Sequence, residues 1–284
     1  RAGFEPKELE QIKRLNLPMY ETPQGFQPDL TFIADSVYPW VQGCGKLVHI
    51  GHGLLSKGQY YTDTLTAKRE ETADLICVPG KHHQQIMRKI ISKPVMATGM
   101  AKLDPLFSGK ITRKSVLRKY KLPEEFNYIL FAPTFNDELS AISHVMGQIA
   151  DILPDKRTVL LIKLHGSTKA EYKNMYSELP AQNPQVIYTD ELDITPFLAL
   201  ADVLISDVSS VMFEFAALDK PVVLFDSPDW EKYDNYNPSD IEFTWRDFAL
   251  RANNLKELKD AVKRSLKLPE EFSDMRKEYT KRLL

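Results

Sequence analysis

Two histidines in this sequence directly follow short apolar segments, a position at which α/β proteins often bind ligands. Residues 47–50 are followed by Gly51-His52-Gly53, and residues 159–163 are followed by Leu164-His165. A neutral imidazole can take a proton from a hydroxyl group, and its N–H can donate to a phosphate. Each histidine alone is also compatible with a packing role, and a single histidine at a strand end is more often structural. Two of them, one in each half of the chain, favour chemistry across a cleft.

A cluster of polar residues forms the most specific local signal, between the apolar segment 203–205 and a helix predicted over 211–218. The cluster consists of Ser206, Asp207, Ser209 and Ser210. Ser209 or Ser210 suits a helix N-cap, and backbone N–H groups at a helix N-terminus bind phosphate. Glu214, one turn into the helix, can accept hydrogen bonds from ribose hydroxyls. Capping and a favourable helix dipole explain each residue singly, but not the whole cluster.

Continuously apolar segments recur along the chain in two series, as in strands buried on both faces of a parallel sheet. The segments are 30–34, 47–50, 75–78 and 95–98, then 128–132, 159–163, 186–188, 203–205 and 222–225. Helical spacing follows from Asn254, and another helix is predicted after Pro269. We therefore predict an α/β protein of two facing Rossmann-like domains, the first short or truncated. Ligands of such sheets bind at the carboxyl ends of the strands.

The basic stretch 110–121 separates the two series and precedes a Leu122-Pro123 break. It carries six basic residues and no acid. We place the domain boundary there, which predicts domains over 1–120 and 121–284. The stretch is either a solvated helix face or a surface for anionic lipid or a polyanion. The aperiodic segment 226–245 is expected at the cleft or on ordinary surface.

Composition restricts the possible functions. The 284 residues carry 37 Lys+Arg against 39 Asp+Glu, which argues against a general nucleic-acid binder. No segment approaches the ~20 apolar residues that cross a bilayer, and the two cysteines indicate a reducing compartment. We recognise no phosphate-loop or metal-binding motif, so we expect no metal and no cofactor. The chain begins at Arg1 rather than Met, which is compatible with further residues upstream.

Five separated segments carry a resemblance to a known family. They are H-G-x-x-x-K from His52 to Lys57, G-M-A-K-L-D at 99–104, A-P-T-F at 132–135, K-L-H at 163–165 and S-D-V-S-S-V-M-F-E at 206–214. In this order they resemble motifs of the CDP-glycerol glycerophosphotransferases of teichoic-acid and capsule synthesis. The resemblance extends over roughly residues 47–225.

The sequence departs from the family pattern at several positions. Gly166 stands where the family usually has Pro, and Asn136 where an Arg commonly follows the A-P-T segment. Lys102 replaces an Arg, and a lysine cannot reproduce bidentate phosphate binding. We therefore expect a divergent branch whose donor, or the donor's pose, differs from that of the typical member.

The resemblance implies a GT-B fold with an acceptor-side first domain and a nucleotide-donor-binding second domain. It also implies transfer of glycerol phosphate, or a related polyol phosphate, from a CDP-activated donor to a hydroxyl of a lipid-linked or polymeric acceptor, with release of CMP. The implied catalytic residues are His52, as base, and His165. The implied substrate-binding residues are Gly53, Lys57, Lys102, Pro133, Thr134, Ser206, Asp207, Ser209, Ser210 and Glu214. His165, Lys102 and the amides of the serine pair are expected to neutralise phosphoryl charge.

A membrane-bound acceptor implies a cytoplasmic protein that is attached peripherally to the inner face of the cell membrane. Two other interpretations remain open: a GT-B nucleotide-sugar enzyme, either a glycosyltransferase or a UDP-sugar 2-epimerase, and a non-catalytic GT-B binding module. The His52 and A-P-T segments favour the phosphotransferase. Retention of both His52 and His165 argues against a silent module.

Overall fold

Two parallel β-sheets make up the framework of this chain. The computed structural model describes residues 6–16, 18, 25–34, 41, 43–51, 53 and 70–284. The first sheet has the order β1-β2-β3-β4, with strands Leu30–Ile33, Lys46–His49, Leu75–Val78 and Val95–Ala97. Helices α1 (Pro6–Lys13) and α2 (Lys81–Met87) belong to this part of the chain. All neighbouring strands in the sheet are parallel.

The second sheet is larger, and its strands are also parallel to their neighbours. Its strands, β5 to β10, are Asn127–Phe131, Thr158–Lys163, Val186–Thr189, Val203–Ser206, Val222–Phe225 and Leu250–Ala252. The accompanying helices, α3 to α11, are Asp104–Phe107, Arg113–Tyr120, Ile142–Val145, Ala170–Gln182, Thr195–Leu200, Val211–Ala216, Ile241–Thr244, Leu255–Lys267 and Ser273–Leu283. The strand order is β10-β9-β8-β5-β6-β7.

This order places a topological switch point between β5 and β8. From β5 the chain first builds the sheet outward through β6 and β7, then crosses to β8 and continues through β9 to β10. The adjacent strands β5 and β8 are in register, with Ile129 opposite Val203. Loops that leave the carboxyl ends of two such strands diverge to opposite faces and open a crevice that binds ligands.

Burial on both faces of the second sheet explains why its strands read as continuous apolar runs. Ile129, Leu160 and Val203, from three adjacent strands, are 0% exposed. Each fully buried aliphatic side chain of this kind contributes roughly 1.5–3 kcal/mol. The core of the second sheet therefore provides a rigid base for the loops at its carboxyl edge.

The predicted α/β class with two parallel sheets is confirmed, and the shorter first sheet agrees with a short first domain. The nine predicted strands are present with small differences at their ends. The three-residue strand β10, which pairs with β9, was missing from the prediction. One element is shorter than predicted, because α8 ends at Ala216 instead of residue 218.

The described residues fall into two compact units. Gly53, 100–190 and 194–284 form one unit, and the other described residues form the second. Helix α4, within the basic stretch, is anchored to the larger unit through Arg113. Its guanidinium donates to Asp202 Oδ1 at 2.8 Å and to the Phe126 carbonyl at 2.9 Å. The domain limit at residue 120 stays a prediction.

Candidate active site

A buried carboxylate joins the carboxyl ends of β5 and β8. Asp207 Oδ1 accepts hydrogen bonds from the N–H groups of Thr134 at 2.9 Å and Val208 at 2.7 Å. Asp207 Oδ2 accepts from the Ala141 N–H at 3.1 Å. Asp207 therefore fixes the loop that contains Pro133 and Thr134 at the switch point.

Two hydroxyl groups complete the attachment of this loop. The Ser206 hydroxyl donates to the Ala132 carbonyl at 2.8 Å, and the Ser140 hydroxyl donates to the Thr134 carbonyl at 2.8 Å. Ser206 and Asp207 are both fully buried. In the structure their side chains hold protein backbone, and the substrate contact that the resemblance implies for them stays a prediction.

Burial and hydrogen bonding act in opposite directions on the pKa of the Asp207 carboxyl, and burial has the larger effect. Burial raises the pKa of its carboxyl above the ordinary value, while the backbone N–H bonds from Thr134, Ala141 and Val208 oppose that rise. These donors all favour the ionised carboxylate, because a protonated oxygen facing an N–H group loses a hydrogen bond. A side chain at position 207 that cannot accept these hydrogen bonds would therefore leave backbone N–H groups of the loop without a partner.

Arg246 is an important residue at this edge that sequence reasoning missed. Its guanidinium is 2% exposed and donates to the carbonyls of Asp207 at 3.0 Å and Glu242 at 2.9 Å, and to Asp226 Oδ1 at 2.8 Å. One side chain therefore links the ends of β8 and β9 to α9. In the sequence, Arg246 directly follows the aperiodic segment 226–245, and that segment was the signal that pointed to this region. Arg246 connects the segment to the carboxyl edge of the second sheet.

Residues from three of the five motif segments come together in the structure. Lys102 Nζ lies 2.7 Å from Glu214 Oε2. A Cβ atom built on Gly53 would lie 3.3 Å from Ser210 Oγ and 3.7 Å from Glu214 Oε1. The absence of a side chain at Gly53 therefore permits a close approach of its backbone to Ser210 and Glu214. The segments around residues 53, 102 and 210 thus meet in one place.

The serine pair precedes α8 as the sequence predicted, but the local geometry differs from a capping arrangement. Ser210 occupies the N-cap position in a right-handed helical conformation, and its side chain makes no capping hydrogen bond. Ser209 and Ser210 are half-buried, whereas Glu214 is fully buried. The first N–H groups of a helix have no partner within the helix itself.

His165 lies on an exposed loop after β6. Its ring stacks on Phe135, with ring centroids 4.7 Å apart, and its Nδ1 accepts the Ser167 N–H at 3.0 Å. With Nδ1 acting as acceptor, the proton of the neutral ring is on Nε2. His165 is therefore oriented to donate through Nε2, which suits contact with a phosphoryl oxygen better than proton abstraction.

The predicted base, His52, and the predicted ligand Lys57 lie outside the described residues. The backbone beside His52 is described, and Gly51 has φ of 67°. Only glycine adopts this left-handed conformation without strain. Glycine is thus the residue that suits the position directly before His52. The described residues contain no group of three His, Cys, Asp or Glu side chains that could hold a metal ion.

The fold and this site define the class of protein first. The six-stranded sheet has the strand order of a Rossmann fold, and polar groups are gathered at its switch point. With a second parallel sheet in the chain, the protein belongs to the GT-B class. The solved structure of the wall teichoic acid polymerase TagF is similar, with a TM-score of 0.69 at 18% identity over 87% of this chain and 66% of that one.

The family follows from sequence comparison. The profile of the CDP-glycerol:poly(glycerophosphate) glycerophosphotransferases matches residues 35–284, so the chain belongs to that family. It is 32% identical over 166 residues to the teichoic acid glycerol-phosphate primase of Bacillus spizizenii. The matched region covers 56% of this chain and 42% of the primase. The poly(ribitol-phosphate) polymerase of the same organism is 29% identical over 46% of this chain and 22% of its own length. The chain thus spans less than half the length of these relatives.

Proposed function

We propose that this chain transfers glycerol phosphate, or a related polyol phosphate, from a CDP-activated donor to a hydroxyl of a lipid-linked or polymeric acceptor, releasing CMP. The polymer would be of the teichoic-acid or capsule type. The observation that carries the proposal is the meeting of Gly53, Lys102, Ser210 and Glu214 within one unit. Family membership supports the reaction class, and one of the similar TagF structures was obtained with CDPG.

The proposed reaction is a single displacement at phosphorus. The acceptor hydroxyl loses its proton to His52 as its oxygen attacks the polyol-bearing phosphorus, and the bond from that phosphorus to CMP breaks. His165 donates through Nε2 to a phosphoryl oxygen, and the N–H groups at Ser209 and Ser210 stabilise the same negative charge. CMP leaves with the electron pair of the broken bond. The geometry of His165 supports its part in this scheme.

The donor half of the scheme depends on recognition of the nucleotide. Glu214 is the proposed acceptor for ribose hydroxyls, because it is buried beside the serine pair and one of its oxygens, Oε1, has no hydrogen-bond partner among the described residues. Buried polar atoms in folded proteins are nearly always paired. A ribose hydroxyl would supply the missing donor.

Nucleotide binding tests this proposal. We expect CDP and CMP to raise the melting temperature in a saturable manner, since a ligand at 100 times its Kd stabilises the folded state by about 2.7 kcal/mol. UDP should have a smaller effect. Equal or stronger stabilisation by UDP would instead favour a nucleotide-sugar enzyme. Release of CMP from CDP-glycerol, only when a hydroxyl acceptor is present, is the matching activity assay.

We also propose a peripheral membrane contact through the basic stretch. Arg113 is engaged with Asp202, but Lys114, Arg118 and Lys119 are exposed, and nearby Phe107 is 59% exposed. Exposed cations near an anionic bilayer contribute about 1 kcal/mol each. Within the described part of the chain, no helix has the length and apolarity needed to cross a membrane. Attachment of this surface would therefore be electrostatic, with a small apolar contribution.

Vesicle binding tests the membrane contact. Replacing Lys114, Arg118 and Lys119 with Gln should weaken binding to phosphatidylserine vesicles about 100-fold, given about 1 kcal/mol for each charge. Binding of the unaltered protein should also fall as salt rises, because the Debye length is about 10 Å at 0.1 M. Gln at exposed Lys256, Lys263 and Lys267 on α10 is the matched control. Salt-insensitive binding, or equal losses in the control, would contradict the proposal.

A further inference from the structure

The two carboxylate oxygens of Glu214 have different surroundings, because Lys102 forms an ion pair with only one of them. Lys102 Nζ is 2.7 Å from Oε2, and the side chains of Lys102 and Glu214 are 34% and 1% exposed. Oε1 is equally buried and has no hydrogen-bond partner among the described residues. The lysine thus pairs with Oε2 and leaves Oε1 able to accept a hydrogen bond from a ligand.

The energetics of burial explain why Glu214 depends on this lysine. A carboxylate with almost no exposure is costly unless a cation and hydrogen bonds compensate its charge. Among the described residues, Lys102 is the cation that forms an ion pair with Glu214. The same contact restricts the rotation of the carboxylate, because Oε2 must stay within reach of Nζ. Without Lys102, the Glu214 carboxylate would lose both its fixed orientation and the cation that compensates its charge.

We propose that Lys102 is a positioning residue for Glu214, holding Oε2 so that Oε1 accepts a hydrogen bond from a ribose hydroxyl of the nucleotide. The inference rests on the proposed function and revises one part of the sequence-based expectation, in which Lys102 contacts phosphate. The backbone of Gly53 borders the same oxygen, since a Cβ there would lie 3.7 Å from Oε1. The lysine therefore acts on sugar recognition through the carboxylate, without touching the ligand.

Nucleotides that lack one ribose hydroxyl separate the two roles of Lys102. For the unaltered protein we expect CMP to bind about tenfold more tightly than the weaker of 2′-deoxy-CMP and 3′-deoxy-CMP, which is the effect of one hydrogen bond to a charged group. In Lys102→Met this ratio should fall close to one, whereas Lys102→Arg should restore most of it. Lys156→Met, the same change at an exposed lysine, should leave the ratio unchanged.

Cytidine, which has no phosphate, provides the opposing test. A lysine that acts through Glu214 makes cytidine bind more tightly than deoxycytidine. Lys102→Met should therefore reduce the ratio of these two affinities. A lysine that contacts phosphate would leave cytidine binding unchanged and would weaken CMP and both deoxy-CMP ligands by the same factor. That second pattern would overturn the inference.

A double-mutant cycle keeps the inference testable even if Lys102→Met alone does not fold. Glu214→Gln removes the charge that needs Lys102, so the double variant Lys102→Met/Glu214→Gln retains no unpaired buried charge. If Lys102 acts through Glu214, this double variant should bind CMP as tightly as Glu214→Gln alone, within about twofold. Independent, multiplied losses would contradict the inference. Failure of the unaltered protein to bind CMP would instead contradict the proposed function.

Discussion

Replacing His52 with alanine is expected to abolish polyol-phosphate transfer while leaving the affinity for the CDP donor nearly unchanged. A base acts only while the acceptor hydroxyl is being deprotonated, so its loss affects turnover and not donor binding. General-base assistance is worth about 10² to 10⁴-fold, and we expect a decrease of that size. The acidic limb of the pH profile should also flatten, because an imidazole that must be neutral no longer limits the rate. Steady-state kinetics and donor titration measure the two effects separately.

His165→Ala provides the contrast. His165 donates through Nε2 in the proposed scheme, so its loss should weaken donor binding as well as transfer. The His165→Ala variant should retain the melting temperature of the unaltered protein within a few degrees, since His165 is exposed. A His52→Ala variant that keeps more than about a tenth of the activity would rule out His52 as the base, because base removal typically costs far more. Equal loss of donor affinity in both variants would contradict their separate roles.

The sheets could be predicted from the sequence because their strands are buried on both faces. Leu160, Leu161 and Ile162 are at most 1% exposed, and such a run has no polar position to break the signal. Strand β10 gave no such signal, since it has three residues and Arg251 at its centre is exposed. A short edge strand of this kind is recognised only by its pairing partner, which lies in another part of the chain.

The site could be predicted as a set of residues but not as an arrangement. Lys102 and Glu214 are 112 positions apart, and no local pattern indicates that they pair. The polar cluster after β8 was predicted as one ligand-binding group, yet its side chains divide between two tasks. Ser206 and Asp207 hold the backbone of the switch-point loop, whereas Ser210 and Glu214 lie beside Gly53. Tertiary contacts make this division, and sequence spacing does not encode them.

Asp207→Asn is the second change for which we expect a large effect. The carboxylate accepts backbone N–H groups from Thr134, Val208 and Ala141 on its two oxygens. An asparagine NH2 group must face at least one of these donors, whichever way the amide is turned. We expect a loss of about 2–3 kcal/mol in the free energy of unfolding, the cost of a buried donor left without an acceptor and reduced slightly by relief of the buried charge. Urea unfolding with a common m-value measures it.

Asp137→Asn makes the same chemical change within the loop that Asp207 holds, and it is the matched control. Asp137 pairs with Lys169 at 2.5 Å, and the two side chains are 35% and 56% exposed. An exposed pair of this kind contributes about 0–1 kcal/mol, so the control should unfold close to the unaltered protein. Because Asp207 positions the loop that carries Pro133 and Thr134, its variant should also bind CMP more weakly, and the control should not. Equal stability of the two variants would show that the backbone N–H groups find other acceptors, and that Asp207 is not what fixes the switch-point loop.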